Sequence, residues 1–418
     1  IITEIQYFFS KIIRFQAIFK DTVEFTVHWN LKFQVSVQKA DQAIITNRYD
    51  KCLNDVKDKV YTEICLEGIK CTGKRDKLVD CLRGYACLLV VFGHVIMALE
   101  NGGGIPTFEY PLEKFIWTFH VSLFFFLSGY VYKITQKWKS KGTRTRFIAY
   151  KFIKVAVPYF SISIFYILIN SLTAKTNTSF SVTDIFSLWK TPVAQYWYIY
   201  ALFMLLLLYA VLSKVCNDWI ITVFLVLLAY IRTAMGINVP LFGICLGHAF
   251  SFGVGVCLPD IQYFNRKKLL PLLIGVHVLT VSLIFVFQMQ DVALLKDYMR
   301  MIGIITSVSL IGVVAENKSI QKFLLFINKR CFQIYLLHTI FTSAIRIVLM
   351  KLSISEFYIQ TLIGMVVGIV VPILIGEFCS KTVLLNIFFF QLKRLTTKNI
   401  IIAIFKNKAN SRRNGTSL

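Results

Sequence analysis

The sequence is poor in charge, and acidic residues are the scarcer part of the charge that it has. Charged residues make up 16% of the 418 residues, against about 25% in an ordinary soluble domain. Asp and Glu total 22, whereas Lys and Arg total 46, and aromatic residues reach 15%. This balance excludes a disordered chain, which has abundant charge and few aromatics. It also disfavours a soluble nucleic-acid-binding protein, whose basic residues would share one wetted face rather than interrupt long apolar runs.

Disulfide and zinc signatures are missing as well. Three of the ten cysteines, Cys52, Cys65 and Cys71, precede the apolar part of the chain at spacings that match no zinc site. The other seven lie within or beside apolar runs, and we expect them to be small buried hydrophobic side chains. The sequence therefore predicts neither a structural disulfide nor a metal site.

Hydrophobic residues make up 56% of the chain and are concentrated in long stretches. Many of these approach the ~20 residues that a helix needs to cross a bilayer, whereas a transmembrane β-barrel would need alternating segments of about ten residues. Because a helix satisfies its backbone polar groups within one segment, we predict an all-α fold, a polytopic transmembrane helical bundle of about ten spans. The spans are predicted at 82–99, 115–133, 153–170, 196–213, 219–231 (the shortest), 239–258, 269–287, 299–315, 332–350 and 357–376.

Loop charge predicts the orientation of this bundle. With residue 78 on the cytoplasmic side, the inner segments carry 24 Lys and Arg and the outer loops carry 7. Cytoplasmic loops are enriched in basic residues, so we predict a multi-pass protein of the cell membrane with its residue 78 side in the cytoplasm. Most of the net charge of +24 is then a topology signal. The expected partner is the lipid bilayer, with no nucleic acid, and nothing in the sequence indicates an oligomeric state.

The chain divides into three predicted parts. Residues 78–380 form the transmembrane domain, and residues 381–418 form a basic cytoplasmic tail. Residues 1–77 differ in composition, and apolar and polar residues alternate at 23–37, which predicts a strand. We expect residues 1–77 to be either a small cytoplasmic appendage or, as the favoured interpretation, a dispensable extension outside the functional protein.

Ionisable residues within membrane spans are costly, and they are therefore candidate functional residues. Arg83 and His94 lie eleven residues apart in the first span, which places them on one helix face about 16 Å apart. His120 and His338 lie in other spans, and His248 in a further one. Each histidine taken alone is more often a hydrogen-bonded structural residue, but imidazole can also act as acid or base near neutral pH.

Four motifs in order resemble acyltransferase family 3, a family of integral membrane proteins. They are Arg83 and His94 with ten residues between them, the Phe119–Tyr130 run, the Trp197–Phe203 run, and Tyr335–His338. The resemblance covers about residues 76–390. It implies transfer of an acyl group, often acetyl, from cytoplasmic acyl-CoA to a hydroxyl of a cell-envelope glycan or lipid-linked sugar.

The resemblance also implies roles for individual residues. His94 matches the essential histidine of the family and Arg83 matches its paired arginine, so these two are the predicted catalytic residues. His94 would remove the proton of the acceptor hydroxyl, or the acyl group would pass through an acylated residue; Ser128 is a minor candidate for the latter. The predicted lining of the substrate tunnel is His120, Ser128, Trp197 and His338.

The expected binding site for the CoA phosphates departs from the family pattern. The family carries Arg-x-x-Arg before a proline of the third span, whereas this chain has Lys151 and Lys154 before Pro158. Lysine can neutralise a phosphate but lacks the bidentate fork of arginine. Arg144 and Arg146 are therefore added to Lys151 and Lys154 as predicted acyl-CoA-binding residues.

Two other functions remain open from the sequence. A transporter or exporter could use the membrane histidines as a proton relay, and a structural or signalling bundle could pair Arg83 and His94 with neighbouring residues. Transporters often contain internal repeats and broken helices. No convincing repeat is visible, although four glycines loosen the sixth span, Gly243, Gly247, Gly253 and Gly255.

Overall fold

The computed structural model describes the residues of the transmembrane domain, with short gaps. The described ranges are 76–100, 110–135, 144–172, 180–237 and 242–379. All regular secondary structure within them is helical, which confirms the predicted all-α class. The predictions for the strand at 23–37 and for the tail at 381–418 lie outside the described residues.

Thirteen α-helices are found in the described part of the chain. They are α1 (Lys77–Glu100), α2 (Tyr110–Trp117), α3 (His120–Ile134), α4 (Arg144–Lys151), α5 (Val157–Leu172), α6 (Trp197–Leu212), α7 (Asp218–Ala234), α8 (Gly243–Leu246), α9 (Ala249–Cys257), α10 (Leu270–Val286), α11 (Ala293–Val314), α12 (Lys318–Lys351) and α13 (Phe357–Cys379). A π-helical turn, Phe152–Ala156, joins α4 to α5. α1 lies centrally and contacts α3, α12 and α13.

Eight helical segments of the described chain are long and apolar enough to cross a bilayer, and each overlaps a predicted span. The other two predicted spans take different forms. The stretch at 219–231 becomes α7, a helix of 17 residues, and the stretch at 239–258 is divided between α8 and α9. The helical bundle is therefore confirmed, whereas the count of ten spans is approximate.

The break between α8 and α9 is stabilised by a charged group from α11. Arg300 Nη1 donates to the carbonyl oxygen of Gly247 at 2.8 Å, directly before His248. The same nitrogen lies 2.6 Å from Asp297 Oδ1, and the Tyr230 hydroxyl donates to Asp297 Oδ2 at 2.8 Å. Because a carbonyl released from a helix must find another donor, the ion pair explains how an apolar segment can be interrupted here.

Glycines bring α3 and α9 into backbone contact. A Cβ atom added to Gly129 would lie 2.0 Å from the carbonyl oxygen of Phe252, and one added to Gly255 would lie 2.0 Å from that of Phe126. Small residues allow close approach of membrane helices, whose association depends on packing rather than on water exclusion. This contact fixes α3, which carries two of the predicted site residues, against the interrupted α8–α9 segment.

Candidate active site

Three imidazole rings from three different helices share one aromatic cluster. His94 of α1 and His338 of α12 pack edge to face, with ring centroids 4.8 Å apart. Trp117, at the end of α2, lies 5.6 Å from the His94 ring and 5.1 Å from the ring of His120, the first residue of α3. The structure therefore brings the predicted catalytic histidine together with two of the predicted tunnel residues.

All three rings are held in the same way by their own helices. In each, Nδ1 lies 2.8 to 3.0 Å from the carbonyl oxygen of the residue four positions earlier. A carbonyl oxygen only accepts hydrogen bonds, so Nδ1 carries the proton and Nε2 of the neutral ring presents a lone pair. This arrangement prepares Nε2 to accept a proton, as a general base must.

Accessibility distinguishes His94 from the other two histidines. His120 and His338 are 0% exposed, and their Nε2 atoms find no hydrogen-bond partner among the described residues. His94 is only partly buried. Of the three residues, His94 is therefore the one that keeps some exposed surface.

Arg83 lies in a second group of side chains, three helical turns before His94 on α1. It is partly buried and forms no ion pair with any described carboxylate. Its guanidinium interacts electrostatically with the Tyr198 hydroxyl and the Cys331 sulfur. Ser128 Oγ lies 3.5 Å from the Tyr198 hydroxyl. Because a desolvated charge is costly without a counter-charge, this guanidinium is suited to an anionic or strongly polar ligand.

The fourth predicted tunnel residue, Trp197, belongs to a different stack. Its ring lies 5.2 Å from that of His248 and nearly parallel to it, and Phe125 stacks on both rings, at 4.4 Å from His248 and 6.4 Å from Trp197. Trp197 thus packs at the break between α8 and α9.

The basic residues predicted to bind acyl-CoA lie on α4 and the turn that follows it. Arg144 Nη2 donates to the Ser213 carbonyl oxygen at 3.3 Å, which ties α4 to the end of α6. Lys151 Nζ lies 5.3 Å from the centroid of the Phe147 ring on the same helix. The guanidinium of Arg144 is therefore already hydrogen-bonded within the protein. The side chain of Arg146 lies outside the described residues.

Lys154 lies within the π-helical turn that precedes Pro158. The Val157 N–H donates to the carbonyl oxygen of Phe152, five residues earlier. Proline lacks an N–H and would clash with the carbonyl four residues before it in a regular helix, so the wider turn accommodates Pro158. Such turns are frequent at functional sites, and this one sets the direction in which Lys154 leaves the helix.

The described ranges were searched for groups of side chains that could bind a metal ion. No group of three or more His, Cys, Asp and Glu side chains there is arranged to hold a metal ion. The seven cysteines in the same part of the chain are free thiols.

Sequence reasoning missed two neighbours of the site, Trp117 and Cys331. Trp117 precedes His120 by three residues, so helical spacing could have placed the two rings together. Cys331 precedes His338 by seven residues, two turns on one face of α12. Its proximity to Arg83 depends on the packing of α12 against α1, which no local pattern reveals.

Comparison with known proteins agrees with the resemblance of the sequence to acyltransferase family 3. Residues 76–377 match a family described as an acyltransferase domain, acyltransferase family 3. No curated protein and no solved structure matches the chain. The matched region is more than half of the chain and contains both groups of side chains around His94 and Arg83. The chain therefore belongs to acyltransferase family 3.

Proposed function

We propose that this protein is a membrane-embedded O-acyltransferase that moves an acetyl group from cytoplasmic acyl-CoA to a hydroxyl of a cell-envelope glycan or lipid-linked sugar. Membership of an acyltransferase family and eight helices able to cross a bilayer support transfer within a membrane domain. The observation that carries the proposal is the partly buried His94 ring, whose Nδ1 is held by the Val90 carbonyl at 2.8 Å.

In this mechanism His94 is the general base. Its Nε2 accepts the proton of the acceptor hydroxyl while the hydroxyl oxygen attacks the carbonyl carbon of the acyl thioester. The carbon–sulfur bond then breaks, an ester forms, and His94 returns the proton to the departing sulfur. The Val90 contact keeps the ring in the tautomer that this step requires. A positioned base contributes about 10²- to 10⁴-fold in rate.

Arg83 acts on the donor. It lies about 16 Å from His94 along α1, too far to contact an acyl carbonyl held at the imidazole. Its guanidinium, with no ion-pair partner among the described residues, therefore binds a polar or anionic part of acyl-CoA. Lys151 and Lys154 are proposed to neutralise the CoA phosphates, with Arg144 and Arg146 nearby in the chain.

The expected orientation sets the side of the membrane from which acyl-CoA enters. The excess of basic residues in the predicted inner segments supports a cytoplasmic side that includes residue 78. Acyl-CoA would enter from that side of the cell membrane, and the acceptor would approach His94 from within the bundle or from the other side.

Transfer is tested with membranes that contain the protein, [14C]acetyl-CoA and an envelope glycan fraction. We expect protein-dependent release of CoA and label in the glycan that alkali removes, as for an ester. Membranes with a His94→Ala variant at the same protein level are the control for background transfer. A wild-type protein that releases no CoA and labels no hydroxyl contradicts the proposal, and proton-coupled solute flux without CoA release would favour the transporter instead.

A further inference from the structure

A cavity of about 290 Å³ opens at one end of the bundle, where α1 and α12 begin and α11 ends. The segment between α9 and α10, which includes the 3-10 turn Ile261–Phe264, contributes to its lining. Small-molecule sites in proteins occupy about 300–1,000 Å³. The cavity lies at the lower end of that range, so its size suits a compact ligand.

The chain segments that meet at this cavity all belong to the predicted cytoplasmic side. α1 begins there, and the α9–α10 and α11–α12 connections are inner segments of the predicted topology. The cytoplasmic leaflet carries anionic phospholipids, and basic pockets between transmembrane helices on that side bind their head groups. The location therefore directs attention to the charge of the lining.

Positive charge prevails in the lining, which contains three lysines and one glutamate: Lys77, Lys267, Lys318 and Glu316. Lys267 Nζ lies 2.7 Å from Glu316 Oε1, so these two side chains compensate each other. Lys77 and Lys318 are exposed and form no ion pair with any described carboxylate. The cavity thus keeps two positive charges for an anionic ligand.

Other polar groups at the cavity are already engaged, with one exception. Asp76, beside Lys77 in the chain, accepts the N–H of Leu78 at 2.8 Å. Asn265 Nδ2 donates to Gln262 Oε1 at 2.9 Å, whereas Asn265 Oδ1 is buried and finds no hydrogen-bond partner among the described residues. Buried polar atoms ordinarily have a partner, and a ligand that carries a hydroxyl supplies one.

The deeper part of the lining is apolar. Cys81 follows Lys77 by one turn of α1 and is 0% exposed, and Ile311, more than one turn before the end of α11, is 2% exposed. A phospholipid has the same order along the membrane normal, with its phosphate outside the glycerol esters and the acyl chains. A soluble anion would use only the lysines and leave the apolar part uncovered. Val313 and Ile320, which adjoin lining residues in the chain, are exposed apolar side chains that acyl chains can cover.

We propose that this cavity binds the head group of an anionic phospholipid, with the phosphate between Lys77 and Lys318 and the glycerol esters over Cys81. The site is separate from the candidate active site. Cys81 and Arg83 are two residues apart on α1, so their side chains point about 200° apart around the helix. The bound lipid would tie the start of α1 to α11 and α12.

Binding is tested on the full chain, purified in dodecyl maltoside and titrated with dioctanoyl-phosphatidylglycerol, with bound lipid counted by native mass spectrometry. We expect one bound lipid per protein and much weaker binding of dioctanoyl-phosphatidylcholine, whose head group has no net charge. A lysine near an anionic lipid contributes about fivefold in affinity, so Lys77→Gln/Lys318→Gln should raise the Kd about 25-fold. The matched control is Lys268→Gln/Lys322→Gln, which removes the same charge from exposed lysines at the same end of the bundle that do not line the cavity. This control should keep the Kd of the wild type.

Three results would overturn the proposal: equal affinity for the two lipids, equal loss of affinity in the two double variants, or glycerol 3-phosphate binding as tightly as phosphatidylglycerol. The last would show a site for soluble phosphate. A phosphatidylglycerol with a photoreactive diazirine in its head group makes the test independent of how well a variant folds. Crosslinks on wild-type peptides that contain Lys77 or Lys318 support the site, and crosslinks confined to other helices contradict it. Since no readout uses acyl transfer, failure of this proposal leaves the proposed function intact.

Discussion

The contact between α3 and α9 gives a prediction whose size follows from the geometry. A Cβ added at Gly255 would lie 2.0 Å from the Phe126 carbonyl oxygen and 2.9 Å from the Tyr130 nitrogen. Carbon and carbonyl oxygen ordinarily approach to about 3.3 Å, so Gly255→Ala must separate the helices by roughly 1 Å. Overpacking of this kind costs about 1–3 kcal/mol.

Gly275 of α10 provides a matched control, because no described atom lies within 4 Å of the Cβ that alanine would add there. Both substitutions gain the same intrinsic helix preference, about 0.5–1 kcal/mol. The difference between the variants therefore isolates the steric cost. Since 1 kcal/mol shifts the midpoint of a domain of 150–250 residues by about 2–4 °C, Gly255→Ala should unfold several degrees below Gly275→Ala.

The assay is the apparent thermal midpoint of each detergent-solubilised variant, read by loss of the monodisperse peak in size-exclusion chromatography. Wild-type protein and both variants are heated in parallel at one heating rate, because unfolding of such a protein is irreversible. Equal midpoints for Gly255→Ala and Gly275→Ala would refute the close helix contact. They would also remove the argument that this contact positions α3.

Three further predictions follow from other contacts. Arg300→Met removes the cationic partner of the buried Asp297 and should lower the free energy of unfolding by about 3–5 kcal/mol, with partial recovery in the Arg300→Met/Asp297→Asn double variant. Equal thermal midpoints for the single variant and wild type would argue against the ion pair. Arg83→Gln should raise KM for acetyl-CoA by about tenfold or more, as expected for a lost hydrogen bond to a charged group, and Arg83→Lys should recover part of the loss; an unchanged KM would place the donor elsewhere. Ser128→Ala should transfer acetyl within about fivefold of the wild-type rate, because a neutral hydrogen bond contributes about 1 kcal/mol, and a complete loss of transfer would support Ser128 as the nucleophile.

The helical bundle was predictable because each membrane helix is specified by residues within its own segment of the sequence. A run of about 20 apolar residues predicts a membrane helix from its own composition, and eight of the ten predicted spans overlap such helices within the described residues. Glycines in the sixth predicted span indicated a loosened helix, but hydropathy did not predict that the helix breaks at Gly247. This break depends on Arg300, which reaches the freed carbonyl from a helix more than fifty residues later, and hydropathy carries no information about such a donor.

In the candidate site, too, some features follow from local sequence and others depend on tertiary packing. The shared face of Arg83 and His94 follows from helix periodicity within α1, and sequence alone places it. The meeting of His94 with His338 and of Arg83 with Cys331 depends on how α1 and α12 pack. The position of Trp197 beside His248 was likewise set by tertiary contacts that no local pattern shows.

The most direct test of the central claim is the acetyl-transfer rate of His94→Ala, measured beside wild type and His277→Ala in membranes with equal amounts of each protein. His277 is buried, at 2% exposure, and its ring packs on Phe115 at 4.4 Å, so its variant controls for the loss of an imidazole from the bundle. If His94 is the general base, His94→Ala should lower the rate by about 10²- to 10⁴-fold, while His277→Ala remains active. A His94→Ala protein that transfers acetyl as fast as wild type would contradict the proposed mechanism.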